Sequence, residues 1–245
     1  MGVALAGLGA AADVAPAAEV KVWTARAIAT VLGEAGPEFE RASGHRLAVT
    51  SDLPAAFVKR AQAGEPFDLI ITGAAPLDAL IKDGRIVASS RTEIARSGIG
   101  VAVRAGARKP DVGSVDAFKR ALLEAKSVAY LRNVGSGLHV AALLERLGIA
   151  RAVEAKATRP ETDIVSELVA KGEVELGLVV ITQILTTPGV ELAGPLPPEI
   201  QSYVPFVAGV GTRAPQAEAA RALIRFLRGR VALRVIRSQG MEPAN

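Results

Sequence analysis

From Glu19 onward, short apolar runs rich in β-branched residues alternate with stretches of helical periodicity, and this alternation constrains the fold most. It is the pattern of an α/β protein with mostly parallel strands flanked by helices. Glu19–Trp23, Leu47–Thr50, Phe67–Thr72, Ser127–Tyr130 and Glu175–Val180 read as strands. Between them, Ile28, Val31, Leu32, Ala35 and Phe39 recur at helical spacing, with Gly36-Pro37 expected to kink or divide that helix. Further helices are expected after Ser51-Asp52, from Pro76, and over Val115–Glu124, Gly137–Leu147, Ile164–Lys171 and Gln216–Leu227. Two glycine-punctuated apolar runs, 97–104 and 203–210, resemble each other and split the pattern into two sets. The order predicts two lobes joined by two crossings: residues 19–98 with 200–245, and residues 99–199 between them.

Several expected strands lead directly into a helix start. Backbone N–H groups left open there, together with the helix macrodipole, attract anions. Small residues let a ligand approach the backbone, and such ends gather at the carboxyl edge of the strands. Thr24, Ser51, Gly73 with Ala74, and Ser136 with Gly137 are the candidate donors; ordinary helix capping is the alternative reading of the serines and threonine. Arg26 enters the first helical turn, where the macrodipole disfavours a cation. Either it forks onto a ligand carboxylate, or it is solvated or paired with a nearby acid. His139, just after the Ser136-Gly137 turn, could donate to an anion or move a proton; a surface histidine is the plainer reading. His45 reads as structural. Ser136 lacks a placed base and reads as a donor, not a nucleophile.

Composition narrows the field. The 245 residues contain no cysteine, which removes disulfides and thiolate chemistry, and the two histidines lack metal-ligand spacing. No cofactor or metal is expected. The net charge is +4 and only 4% of residues are aromatic. The basic residues read as scattered, which argues against nucleic acid and fits attraction of small anions. Residues 1–18, small and apolar and ending Ala15-Pro16-Ala17-Ala18, resemble a signal-peptide remnant or a disordered tail, with processing near Ala18. Export to the periplasm, no stable membrane insertion and a monomer are the expectations.

The order of these segments resembles the molybdate-type periplasmic solute-binding proteins of the type II binding-protein fold. The resemblance is carried by Trp23-Thr24-Ala25-Arg26, Thr50-Ser51-Asp52-Leu53, Asp68 through Thr72-Gly73-Ala74, Val134-Gly135-Ser136-Gly137-Leu138-His139, Gly177-Leu178-Val179-Val180 and the 217–227 helix with Gln239-Gly240-Met241. It implies one ligand between the lobes, with Val180 at a late ligand-facing turn, and an ABC-type permease as partner. The family's tyrosine falls on Val180 here and its next acidic residue on Gln183, while Arg26 replaces a small residue; all three lead away from molybdate or tungstate. Ala95–Arg104, Lys109-Pro110-Asp111, Ser114–Lys119 and Gly194–Glu199 are similar to a subgroup that includes aconitate isomerase. The leading expectation is capture of a small anion, an organic carboxylate over a tetrahedral oxyanion. Isomerisation of small polycarboxylates, with His139 as the histidine base, is the alternative, and a sensory domain ranks last.

Overall fold

The computed structural model describes residues 17–132, 135–162 and 164–244. The expectations for residues 1–16, and the part of the later turn on Val134, lie outside the described residues. In chain order the elements are β1 (Glu19–Thr24), α1 (Arg26–Ser43), β2 (Arg46–Ser51), α2 (Pro54–Gln62), β3 (Leu69–Gly73), α3 (Ala74–Lys82), β4 (Thr92–Arg104), α4 (Val115–Glu124), β5 (Val128–Tyr130), α5 (Ser136–Arg146), α6 (Ala150–Glu154), β6 (Ala157–Thr158), α7 (Val165–Lys171), β7 (Leu176–Val180), α8 (Ile181–Thr186), β8 (Val190–Pro195), β9 (Tyr203–Val210), α9 (Ala217–Leu227), α10 (Arg230–Ser238) and β10 (Glu242–Pro243).

The strands follow the path β2-β1-β3-β9-β4-β7-β5-β6, with β10 and β8 also on β4. β1 is parallel to β2 and β3, and β5 is parallel to β6 and β7. β9 and β4 lie antiparallel between these two sets. β4 begins five residues earlier than the sequence suggested. Its first half pairs with β9 and β10 and its second half with β7 and β8, so the strand belongs to both lobes.

Each lobe buries both faces of its sheet. In the first lobe Ile28, Val31 and Phe39 of α1, Leu223 and Leu227 of α9, and Ile236 of α10 cover one face. α2 and α3 cover the other, where Trp23 stacks between Phe57 at 5.4 Å and Phe67 at 4.4 Å. In the second lobe α4, α5 and α6 close one face around Phe118, Tyr130 and Val153, and α7 and α8 close the opposite face. Burial on both faces explains why the central strands read as apolar runs rather than alternating ones.

Local chemistry departs from expectation at three places. α1 continues through Pro37 as one helix, because Val31, Leu32, Ala35 and Phe39 on both sides of the proline pack into the same core. α2 is preceded by Leu53 with no side-chain cap; Asp52 instead accepts from the Leu53 N–H at 2.7 Å. The basic residues are not evenly scattered: six arginines and no acid fall between Ala219 and Met241, on α9, α10 and the short link between them.

Asp68 ties the first lobe together. Its buried carboxylate accepts from the Lys21 N–H at 2.8 Å and the Gln216 N–H at 2.7 Å, joining β1 and the entry to α9. Removing it strands two donors and opens a gap. Asp68→Ala is expected to lower unfolding stability by about 3 kcal/mol, read from a denaturant midpoint shift.

Candidate functional site

The carboxyl ends of the first lobe's parallel strands lie side by side. Thr24 is in register with Ser51 on β2 and with Ile71 on β3, so Thr24, Ser51, Gly73 and Ala74 share one sheet edge. The turns are held together there. The Ala25 N–H donates to the Ile71 carbonyl at 3.0 Å, and the Asp52 N–H to the Thr24 carbonyl at 3.3 Å. Thr24 is fully buried and Ser51 exposed. The residues preceding α1, α2, α3 and α5 are Ala25, Leu53, Gly73 and Gly135, none with a capping side-chain bond. By contrast the Ser114 side chain accepts from the Ala117 N–H at the start of α4, away from this edge. Helix starts without a capping oxygen keep N–H groups available to water or a ligand.

The second lobe presents its own strand ends toward the first. Val180, the last residue of β7, pairs with Ile99 of β4, and Gly98 just before it pairs with Tyr203 of β9. Gly73, at the end of β3, pairs with Phe206 three residues further along β9. The carboxyl ends of β3 and β7 therefore approach the crossing from opposite sides. β5 runs parallel to β7, which puts the start of α5 on the same edge. Ser136 and Gly137 there are buried, and a Cβ on Gly137 would collide with the Leu131 carbonyl. Gly135 adopts φ 49°, a conformation that favours glycine. His139 stands exposed in the first turn of α5.

Arg26 opens α1, and its guanidinium donates to the Glu167 carboxylate of α7 in the other lobe. The two side chains are 48% and 33% exposed, so this contact lies at a solvent-reached seam. Beside it a pocket of about 330 Å³ is lined by both residues and by Thr30, Lys171, Thr186 and Thr187. The second Glu167 oxygen is buried and makes no hydrogen bond among the described residues. The opposing charge of Glu167 answers the electrostatic question posed by a cation at a helix start.

Sequence reasoning passed over several groups near the crossing. Ser97, fully buried on β4, accepts from the Thr182 N–H of α8 at 3.4 Å. The hydroxyls of Thr72 and Thr182 are buried and make no hydrogen bond among the described residues. The Gln201 amide bridges the strands: its oxygen accepts from the Ile99 and Ser202 N–H groups, both at 2.9 Å, and its nitrogen donates to the Ile99 carbonyl at 3.0 Å. Ser97 carried a signal in the sequence as the start of a glycine-punctuated strand, and Thr72 as part of the phrase leading to Gly73-Ala74; Thr182 and Gln201 carried none. Tyr130 at the end of β5 is a core group: burial pushes its phenol above the usual range, partly countered by the Arg159 guanidinium 5.2 Å from its ring. Among the described residues no three His, Asp or Glu side chains gather as a metal site, and no helix is long and apolar enough to cross a membrane.

Comparison with known proteins agrees with this architecture. Aconitate isomerase of a Pseudomonas species is 31% identical over 234 residues, covering 93% of this chain and 89% of that protein. The molybdate-binding protein ModA of Azotobacter vinelandii is 27% identical over 243 residues, covering 96% and 94%. The solved structure of the Azotobacter vinelandii periplasmic molybdate-binding protein superposes with a TM-score of 0.78 at 18% identity, over 92% of this chain and all of that one. The sulfate-binding protein SubI of Mycobacterium tuberculosis gives a TM-score of 0.74 at 16% identity, over 93% and 88%. At those identities the two structures establish the type II binding-protein fold. The match to bacterial extracellular solute-binding proteins spans residues 20–242, and the chain belongs to that family.

Proposed function

We propose that this solute-binding protein captures a small organic carboxylate between its lobes and passes it to an ABC-type permease. The lobes take residues 19–98 with 200–245, and residues 99–199. Thr24, Ser51, Gly73, Ala74, Ser136, Gly137, His139 and Val180 line the cleft, with Arg26 at its margin. Export to the periplasm, with processing near Ala18, and a monomeric state belong to the same reading.

One observation carries the preference for a carboxylate: Arg26 already holds one, that of Glu167, across the seam between lobes. A guanidinium oriented to receive a planar carboxylate can exchange an internal partner for a ligand's. The backbone N–H groups at the starts of α1, α3 and α5 would surround the rest of the anion as closure removes its water. Val180 contributes only an apolar wall, and Gln183 brings an amide where the molybdate pattern has an acid, which further favours a ligand other than molybdate.

Titration calorimetry tests this with tricarboxylates, dicarboxylates, molybdate and sulfate side by side. A tricarboxylate is expected to bind with a Kd on the order of micromolar. Arg26→Ala is expected to weaken it about tenfold to a hundredfold, the loss of a charge-assisted contact. Molybdate binding at the same strength, indifferent to Arg26→Ala, would overturn the carboxylate assignment. Gly137→Ala should push the start of α5 off Leu131 and abolish ligand-induced thermal stabilisation for any anion bound in the cleft.

A second reading, isomerisation of small polycarboxylates, is favoured by the 31% identity with an aconitate isomerase. It requires a base that removes a proton from carbon and returns it to a different carbon or face. The exposed imidazole of His139 in the first turn of α5 is the histidine available for that role. Incubation with trans-aconitate, followed by proton NMR, separates the two readings. Under the binding reading the spectrum stays unchanged; turnover lost in His139→Ala establishes the enzyme instead.

A further inference from the structure

The last two helices carry the whole net positive charge of the chain. Between Ala219 and Met241 stand Arg221, Arg225, Arg228, Arg230, Arg234 and Arg237, with no Asp, Glu or Lys. Elsewhere 23 Lys and Arg face all 25 Asp and Glu, so the remainder is acidic by two while the total is +4. Arg221, Arg225 and Arg228 recur at steps of four and three along α9 and its end, and Arg230, Arg234 and Arg237 repeat those steps on α10. Each set forms a stripe on one helix face.

The opposite faces are committed to the core through Ala220, Leu223 and Leu227 on α9 and Ala232, Val235 and Ile236 on α10. The stripes therefore point outward, and five of the six arginines are exposed. Arg221 has Glu218 at 3.6 Å within its own helix. Glu34 on the neighbouring α1 is engaged by Gln239 at 3.2 Å. Arg230, Arg234 and Arg237 on α10 repel one another at this spacing, a cost that an anionic surface relieves.

We propose that the α9–α10 face docks the protein on a phosphate-bearing, anionic membrane surface. Guanidinium forks match phosphate oxygens geometrically. Because the apolar sides of both helices are already buried, the contact is electrostatic adsorption without insertion, and salt weakens it. None of the exposed large apolar side chains among the described residues lies on α9 or α10, so the face offers no stacking platform for nucleic-acid bases. Adsorption would hold the first lobe at the membrane while the second lobe stays free to move.

Vesicle co-sedimentation of the full chain provides the test, with phosphatidylglycerol–phosphatidylcholine vesicles against phosphatidylcholine alone. Wild type is expected to partition onto the anionic vesicles in low salt and leave them in high salt. The triple variant Arg230→Gln, Arg234→Gln, Arg237→Gln should bind about a hundredfold more weakly, and Arg225→Gln alone about fivefold. A control triple, Arg46→Gln, Lys59→Gln, Arg151→Gln, removes the same charge from exposed positions elsewhere and should retain partitioning. Absence of wild-type partitioning, equal loss in the control, or tighter binding to duplex DNA than to the vesicles would overturn the proposal.

Discussion

The 13-residue strand β4 hydrogen-bonds to β9 and β10 along its first half and to β7 and β8 along its second. The lobes are thus joined by continuous backbone pairing as well as by chain. At the changeover the Gln201 amide clamps Ile99 from both sides, donating to its carbonyl and accepting from its N–H. Gly98 makes room for this: a Cβ there would sit 3.1 Å from the Gln201 amide nitrogen. Backbone torsion at such a point can swing one sheet against the other while the pairing on each side persists. The position of every candidate ligand-binding residue depends on this arrangement, since strand ends from both lobes meet only because β4 and β9 hold them in line.

Contacts across the seam are weak enough to be exchanged. The Arg26–Glu167 pair is about half exposed on the arginine side, and pairs of that kind contribute roughly 0–1 kcal/mol. The Ser97–Thr182 contact, at 3.4 Å, lies at the long end of hydrogen bonding. Under the proposed function, a ligand that supplies its own carboxylate to Arg26 and new acceptors to the helix starts would offset both. Closure would then draw on differential contacts made only in the ligand-bound arrangement, as any ligand-driven shift must.

Much of the architecture was legible because its signals are local. The apolar runs at 69–72 and 176–180 are buried on both faces and announce themselves by composition. The long amphipathic segments of α1, α4 and α9 announce themselves by period. What was missed depends on distant partners. β8 is a partly buried strand recognisable only through its pairing with β4, and α8 is a short turn of helix set by the end of β7. The start of β4 before Ser97 is polar on one side and becomes strand by lying between β9 and β10. The candidate turns at Thr24, Ser51 and Gly73 could be recognised as small residues before helices. That Glu167 meets Arg26 across 141 positions could not be read from either segment.

The distribution of charge says what kind of force must hold an anion here. Outside residues 219–241 acidic residues outnumber basic ones by two, so the excess positive charge of the chain sits on its last two helices. In the proposed function, the attraction is local: N–H groups at the starts of α1, α3 and α5 would supply it, each end equivalent to about half a positive charge, with the guanidinium that Arg26 shares with Glu167. Local dipoles act over a few ångströms and are strongest where water is excluded. A pocket built this way gains little until the lobes close, and it discriminates by shape and by the placement of acceptor oxygens rather than by total charge. Under the proposed function, valine at 180 and glutamine at 183 would give such a pocket walls suited to a ligand whose negative charge sits on separate carboxylates, with carbon between them.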